Sequence, residues 1–209
     1  MSDDHGSAAI SSYGSVINRT PHIDRQAAQG VRLNNTMCTN AICTPSRATI
    51  LSGQYSHVND VKTLADELDS SRPLQVQKIL KSSGYQTAMI SKWHLGNNES
   101  SNPQGFDYWN ILPGQGDYYD PTMIEMGEEK VIPGYVTDII TDLAVDWLDG
   151  IDGDEPFYLS VHHKAPHAPW DPAPRHLDLG VEGEFAEPDN LLDDYSNRAT
   201  AAKIAGIRL

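Results

Sequence analysis

Helical and strand patterns alternate along this chain, and that alternation limits it to a layered α/β fold. The centre of the pattern lies between residues 74 and 90. Leu74 to Ser83 reads as a helix with Leu74, Ile79 and Leu80 apolar, and Gly84 stops it. Tyr85 to Ile90 follows at once as a buried strand. Upstream, Thr20 and Pro21 open a helix that Gly30 closes. Val31 to Met37 is expected to be a strand, and Pro45 to Gly53 a short helix beginning just after Cys43. Downstream, Val136, Ile139, Ile140, Leu143, Ala144, Trp147 and Leu148 recur at helical spacing, so a helix is predicted from Thr137 to Leu148. Phe157 to Val161 is a further apolar strand. Gly, Pro and Tyr crowd the stretch from Asn97 to Pro133, which predicts loops and short hairpin strands of the kind that shape a pocket. Prolines forbid regular structure from Ala165 to Pro174. Asp193 to Leu209 is helix-prone, with Asp189, Asp193 and Asp194 as its solvated start.

The 209 residues suffice for one domain with a real core. Lys and Arg number 15 against 29 Asp and Glu, a net charge of −14. That balance argues against nucleic acid or an anionic membrane surface as a partner. With 39% apolar and 21% charged residues the chain is no disordered acidic tail. It holds no run of about 18 apolar residues, so no membrane span is expected. No basic stretch leads into an apolar one at the start, so no signal peptide is expected within it. Two cysteines, Cys38 and Cys43, make no disulfide framework. Asp3 and Asp4 follow Met1 almost at once, although acidic pairs of this kind usually end a buried strand, and the final helix has no stop signal. The chain therefore reads as cut at both ends.

The chemistry concentrates in Cys43-Thr44-Pro45-Ser46-Arg47. A cysteine where a loop enters a helix is expected to have its thiolate stabilised by the helix N-terminus. Arg47, one turn on, adds a fixed positive charge and a fork of donors on the same face. Together they make an anion site containing a nucleophile. A tyrosine-phosphatase loop needs five residues between Cys and Arg, and three stand here, so that chemistry is excluded. Cys38 reads as a small buried hydrophobe. His162 and His163 with the two cysteines match no standard zinc spacing.

This run, with Ala48 and the closing Gly53, resembles the signature of the sulfatase family. Gly84-Tyr85-Gln86-Thr87-Ala88-Met89-Ile90-Ser91-Lys92-Trp93-His94-Leu95-Gly96 resembles its second signature. Asp3-Asp4-His5-Gly6 is similar to its N-terminal metal pair, Thr20 to Arg25 to the helix after it, and Lys164-Ala165-Pro166-His167 to a later Lys/His element. Ser52 stands where Thr is usual and Ser91 where Gly is usual. The resemblance covers residues 1 to 180 or so. It implies an alkaline-phosphatase-like α/β sandwich, a large, mixed and mostly parallel sheet between helices. Residues 1–209 would be the N-terminal part of the catalytic domain, lacking its C-terminal part and a smaller C-terminal domain.

The roles below are what the resemblance implies. Cys43 becomes formylglycine, made by a formylglycine-generating or anaerobic maturation enzyme. As a hydrated geminal diol, one oxygen attacks sulfur and the ester oxygen leaves, and the second hydroxyl then expels sulfate. Asp3, Asp4 and residue 43 would hold one Ca²⁺ ion, whose hardness suits carboxylate oxygens. Arg47 would hold the diol, Lys92 and His94 would grip sulfate or the formylglycine, and His167 would bind sulfate or protonate the leaving oxygen. Lys164 would contact substrate, and His5 adjoins the metal pair. Two carboxylates alone should hold Ca²⁺ weakly, so a fragment with low or no activity is expected. The substrate is expected to be a sulfate ester of a short sugar, as in the bacterial N-acetylglucosamine-6-sulfatase group, since a long polyanion would meet the −14 charge. Arylsulfatase-type activity, phosphonate monoester or phosphodiester hydrolysis in the same superfamily, and non-catalytic binding of sulfated sugar are the alternatives. The family often works in the periplasm or outside the cell.

Overall fold

A computed structural model describes residues 1–179, 187, 189 and 191–204. Residues 1–171 form one compact unit and residues 172–209 a second. In the first unit the helices are α1 (Pro21–Gln29), α2 (Cys43–Ser52), α3 (Ser56–Asn59), α4 (Val76–Ser82) and α5 (Val136–Gly150). The strands are β1 (Gln86–Lys92), β2 (Tyr108–Leu112), β3 (Thr122–Glu125), β4 (Glu128–Val131) and β5 (Phe157–His162). They form one sheet in the order β4-β3-β2-β1-β5. β1 pairs parallel with both β2 and β5, while β2-β3 and β3-β4 pair antiparallel. The hairpin expected in the Gly/Pro/Tyr-rich stretch is β3-β4, attached to the parallel part of the sheet through β2.

β1 is central because it can be buried on both faces. Met89 points into a cluster with Ala48 and Leu51 of α2, Trp109 and Ile111 of β2, and Trp93, Leu95 and Phe106. Val76 of α4 packs against that cluster. Ile90, the next residue, enters the opposite cluster with Leu112, Met123 and the α5 residues Val136, Ile140 and Ala144. Successive residues of a strand face opposite ways, so one apolar run binds two helical layers. The result is the expected alkaline-phosphatase-like sandwich: a mixed sheet with α2 and α4 on one face and α5 on the other. Each fully buried side chain such as Leu51, Ile90 or Leu112 contributes roughly 1.5–3 kcal/mol.

Two elements depart from expectation. Val31 to Met37 is not a strand: Val31, Leu33 and Met37 are 82%, 64% and 88% exposed. Their alternation finds no apolar face to cover. Arg32 instead bonds Asn34 and the Ser12 carbonyl and lies over the Tyr13 ring. At the C-terminal end, the described helix is only α6 (Thr200–Lys203). Asp193 and Asp194 turn the backbone, accepting from the Tyr195 and Ser196 amides, so they do not open a helix. Residues 205–209 of the expected helix lie outside the described residues. Thr20 precedes α1 without a side-chain cap, because its hydroxyl joins Ser11 and Asp24 instead. Gly53 ends α2 in the left-handed region at φ 65°, as a glycine stop requires. No helix among the described residues is long and apolar enough to cross a membrane.

Ser91 carries local strain. It sits in β1 at φ 85°, fully buried, with its hydroxyl unpartnered. A side chain at that φ costs about 1–2 kcal/mol, and glycine has no such penalty. Ser91→Gly should therefore raise the thermal unfolding midpoint by roughly 2–4 °C. A lower midpoint in a melting curve would show that the serine makes a contact worth more than its strain.

Candidate active site

The parallel strands deliver their C-terminal ends to one place, where loops of an α/β sheet carry chemistry. Lys92 is the last residue of β1, His94 follows it, His162 is the last of β5, and Lys164 and His167 come just after. α2 presents Cys43 at its first position and Arg47 one turn on. The chain start brings Asp3 in, held by its amide bonding the Ala165 carbonyl at 3.2 Å.

Asp3 is the hub. Its Oδ2 accepts a close hydrogen bond from Lys92 Nζ, and its Oδ1 lies 3.5 Å from Arg47 Nη2. The side chains are 9%, 0% and 3% exposed for Asp3, Lys92 and Arg47. Burial alone would raise the Asp3 pKa, but the Lys92 hydrogen bond and the Arg47 charge hold it below the usual carboxylate value. Arg47 Nη1 donates to the Lys92 carbonyl at 2.5 Å and stands 3.3 Å from His162 Nδ1. Its Nε and Nη2, like His94 Nδ1, are buried without a hydrogen-bond partner.

Cys43 Sγ lies 4.0 Å from Asp3 Oδ1. The expected thiolate is not favoured: burial, then the Asp3 charge, pushes the Cys43 thiol above its ordinary value. The helix N-terminus is outweighed by burial and by a carboxylate brought from forty residues upstream, which local sequence could not reveal. Arg47 itself is lowered by burial, opposed by Asp3. Lys164 is fully buried, and burial, then Lys92, lowers its pKa. His94 is pulled down to about 4 by burial, then by Lys92 and Arg47, and His162 to about 3 by burial, then Arg47. Both imidazoles are neutral near pH 7.

Asp3, Cys43 and His167 bring ligand atoms within 4.8 Å of one another. Asp4 is not in that group. It is mostly exposed at φ 56°, with Oδ2 3.6 Å from His167 Nε2. His167 Nδ1 is 2.8 Å from the Ala168 carbonyl, which can only accept, so Nδ1 carries a proton. Met1 to Gly6, Cys38, Cys43, Ser46 and Arg47 line a cavity of about 580 Å³. A cavity of about 610 Å³ lies near the other end of β1, beside Gln86, Asp107 and Trp147, and holds none of these groups. Cys38 is exposed rather than buried, its thiol bonding the Asn40 carbonyl. Neither Cys38 nor His163 joins a metal-type cluster among the described residues. His5 meets Ser2 and lines the cavity. Sequence reasoning missed His162 as the neighbour of Arg47, and missed Gln115, which accepts from Lys92 at 2.7 Å.

Removing the hub should be costly. Asp3→Ala leaves two buried cations facing each other and should cost roughly 3–5 kcal/mol in denaturant unfolding, part of it recovered by adding Lys92→Met. The lowered histidines set a pH dependence. Unfolded imidazole takes up a proton near pH 6.5, whereas folded His94 resists protonation to about pH 4. Stability is therefore full above pH 6.5 and falls as the pH drops toward 4. Melting midpoints across that range should show the fall, and His162→Gln should flatten it. A midpoint indifferent to pH would contradict the placement of both rings.

The sulfatase family profile matches residues 1–201. The chain is 48% identical over 206 residues to the N-acetylglucosamine-6-O-sulfatase of Bacteroides thetaiotaomicron, covering 97% of this chain and 36% of that protein. It is 31% identical over 167 residues to the N-acetylglucosamine-6-sulfatase of Homo sapiens, covering 70% of this chain and 30% of that one. A solved structure, described as a complex with its substrate D-glucosamine-2-N,6-O-disulfate, superposes with a TM-score of 0.92 at 47% identity. It covers 98% of this chain and 41% of that one. The chain thus spans about a third of the length of the curated relatives it matches. A profile match over nearly every residue, on a fold that gathers both signature segments around Asp3, places this chain in the sulfatase family.

Proposed function

We propose that this chain belongs to a sulfuric ester hydrolase acting on 6-O-sulfated glucosamine-type sugars, and that residues 1–209 are the N-terminal part of its catalytic domain. The observation that carries the reading is that Arg47 Nε and His94 Nδ1 are buried without a hydrogen-bond partner in a site that also holds Cys43 and two lysines. Buried donors without partners are costly unless a ligand supplies acceptors, and a sulfate group offers several. The names of the relatives support the sugar class.

The donor set fits a hard cation in part. Asp3 and Asp4 offer carboxylate oxygens, as Ca²⁺ prefers, while the Cys43 sulfur does not suit it and a formylglycine oxygen at residue 43 would. Bound there, Ca²⁺ would offset negative charge on a sulfate oxygen. Formylglycine at residue 43, made by a maturation enzyme, would supply the nucleophilic oxygen that a raised thiol does not. The remaining work falls to the chain's own groups. Arg47, held by the Lys92 carbonyl and Asp3, keeps its Nε–H for the anion. Neutral His94 offers a hydrogen bond without adding charge, and Lys92 and Lys164 supply the charge. His167, with Nδ1 turned to the Ala168 carbonyl, leaves Nε2 toward the site, 3.6 Å from Asp4 Oδ2. That makes Nε2 the atom that hands a proton to the departing sugar oxygen.

Co-expression with a formylglycine-generating enzyme should lower the intact mass by about 18 Da, mapped to residue 43 and absent in Cys43→Ala. The matured chain should bind N-acetylglucosamine-6-sulfate more tightly than a phosphonate monoester, and Arg47→Ala should weaken that binding at least about tenfold. A thiol left unconverted, or preference for the phosphonate, would overturn the reading.

A further inference from the structure

Lys92 and Lys164 come from different segments, yet both end on one residue. Lys92 Nζ donates to the Gln115 side-chain oxygen at 2.7 Å as well as to Asp3. Lys164 Nζ donates to the Gln115 backbone carbonyl at 3.1 Å and to the Ala168 carbonyl at 3.2 Å, with its charge 4.8 Å from the Tyr118 ring centroid. The Tyr118 hydroxyl in turn donates to the His167 carbonyl at 2.5 Å. An ammonium has three protons, so among the described residues each lysine keeps one unassigned, and two anchored protons fix its direction.

The loop is built to reach this position. Gly116 lies at φ 65°, and a Cβ there would stand 2.3 Å from the Leu112 side chain at the end of β2. Only glycine lets the chain fold back so closely. Gln115 itself is exposed, so the core needs none of its volume. Its neutrality also matters. A carboxylate in the same place would accept from Lys92 but cancel the positive charge that an anion needs.

We propose that Gln115 is a positioning residue whose side-chain oxygen orients the Lys92 ammonium toward the sulfate group of the substrate, while its backbone carbonyl anchors Lys164 beside it. The proposal rests on the reading that this site binds a sulfate ester. Two variants test it on the whole chain, with ammonium NMR of the lysines and calorimetry with inorganic sulfate. Gln115→Met keeps the length and loses the acceptor. It should broaden or shift the Lys92 ammonium signal and weaken sulfate binding roughly five- to tenfold. Gln115→Glu should keep the Lys92 signal and still bind sulfate more weakly, a split that loss of structure would not produce. An unchanged Lys92 signal and sulfate affinity in Gln115→Met would overturn the proposal. If the parent chain binds no sulfate, the function reading fails, while the lysine signals still decide whether Gln115 holds the ammonium.

Discussion

The carboxylate of Asp3 is the contact on which the rest of the site depends. Arg47 and Lys92 are large, charged and almost wholly removed from water. Neither could be buried alone, since an isolated charge in the interior costs several kcal/mol. Asp3 lies between them and makes both tolerable. It comes from the first residues of the chain, Lys92 from the end of β1 and Arg47 from α2, so this triad also records that three remote segments have assembled. Asp3 moreover adds to burial in pushing up the Cys43 thiol, so the group that fixes the architecture also bears on the cysteine.

Much of this was legible in the sequence, for identifiable reasons. β1 and α5 have strict periodicities and strong stops, and both formed nearly as read. The signature residues fell together because each sits at a strand end or helix start, positions that sequence marks with apolar runs and Pro or Gly. Val31 to Met37 shows the limit. Its alternation is strand-like, but a strand also needs an edge and an apolar surface, and those are tertiary. Gln115 shows a different limit. Nothing in a polar loop residue signals that its amide meets a buried lysine, although the flanking Gly114 and Gly116 mark a backbone held in an unusual path. The Cys43 thiolate failed for a third reason. A local helix field takes no account of the burial and the carboxylate that folding brings to it.

If the site takes a sulfate as proposed, its local charge accounts for how a chain of charge −14 can face an anion. Arg47, Lys92 and Lys164 stand against Asp3 and Asp4, so the fixed side chains leave a positive excess where a sulfate would sit. Exposed acidic groups farther away than about 8 Å are screened by salt, whereas buried cations are screened far less. The same burial that makes Arg47 and Lys92 expensive thus makes them effective. Moving either lysine to the surface would save its desolvation and would weaken the attraction it can exert on an anion. A sheet buried on both faces, a carboxylate to neutralise two cations in part, and a loop whose Gln115 accepts one more proton from Lys92 are three answers to that one problem.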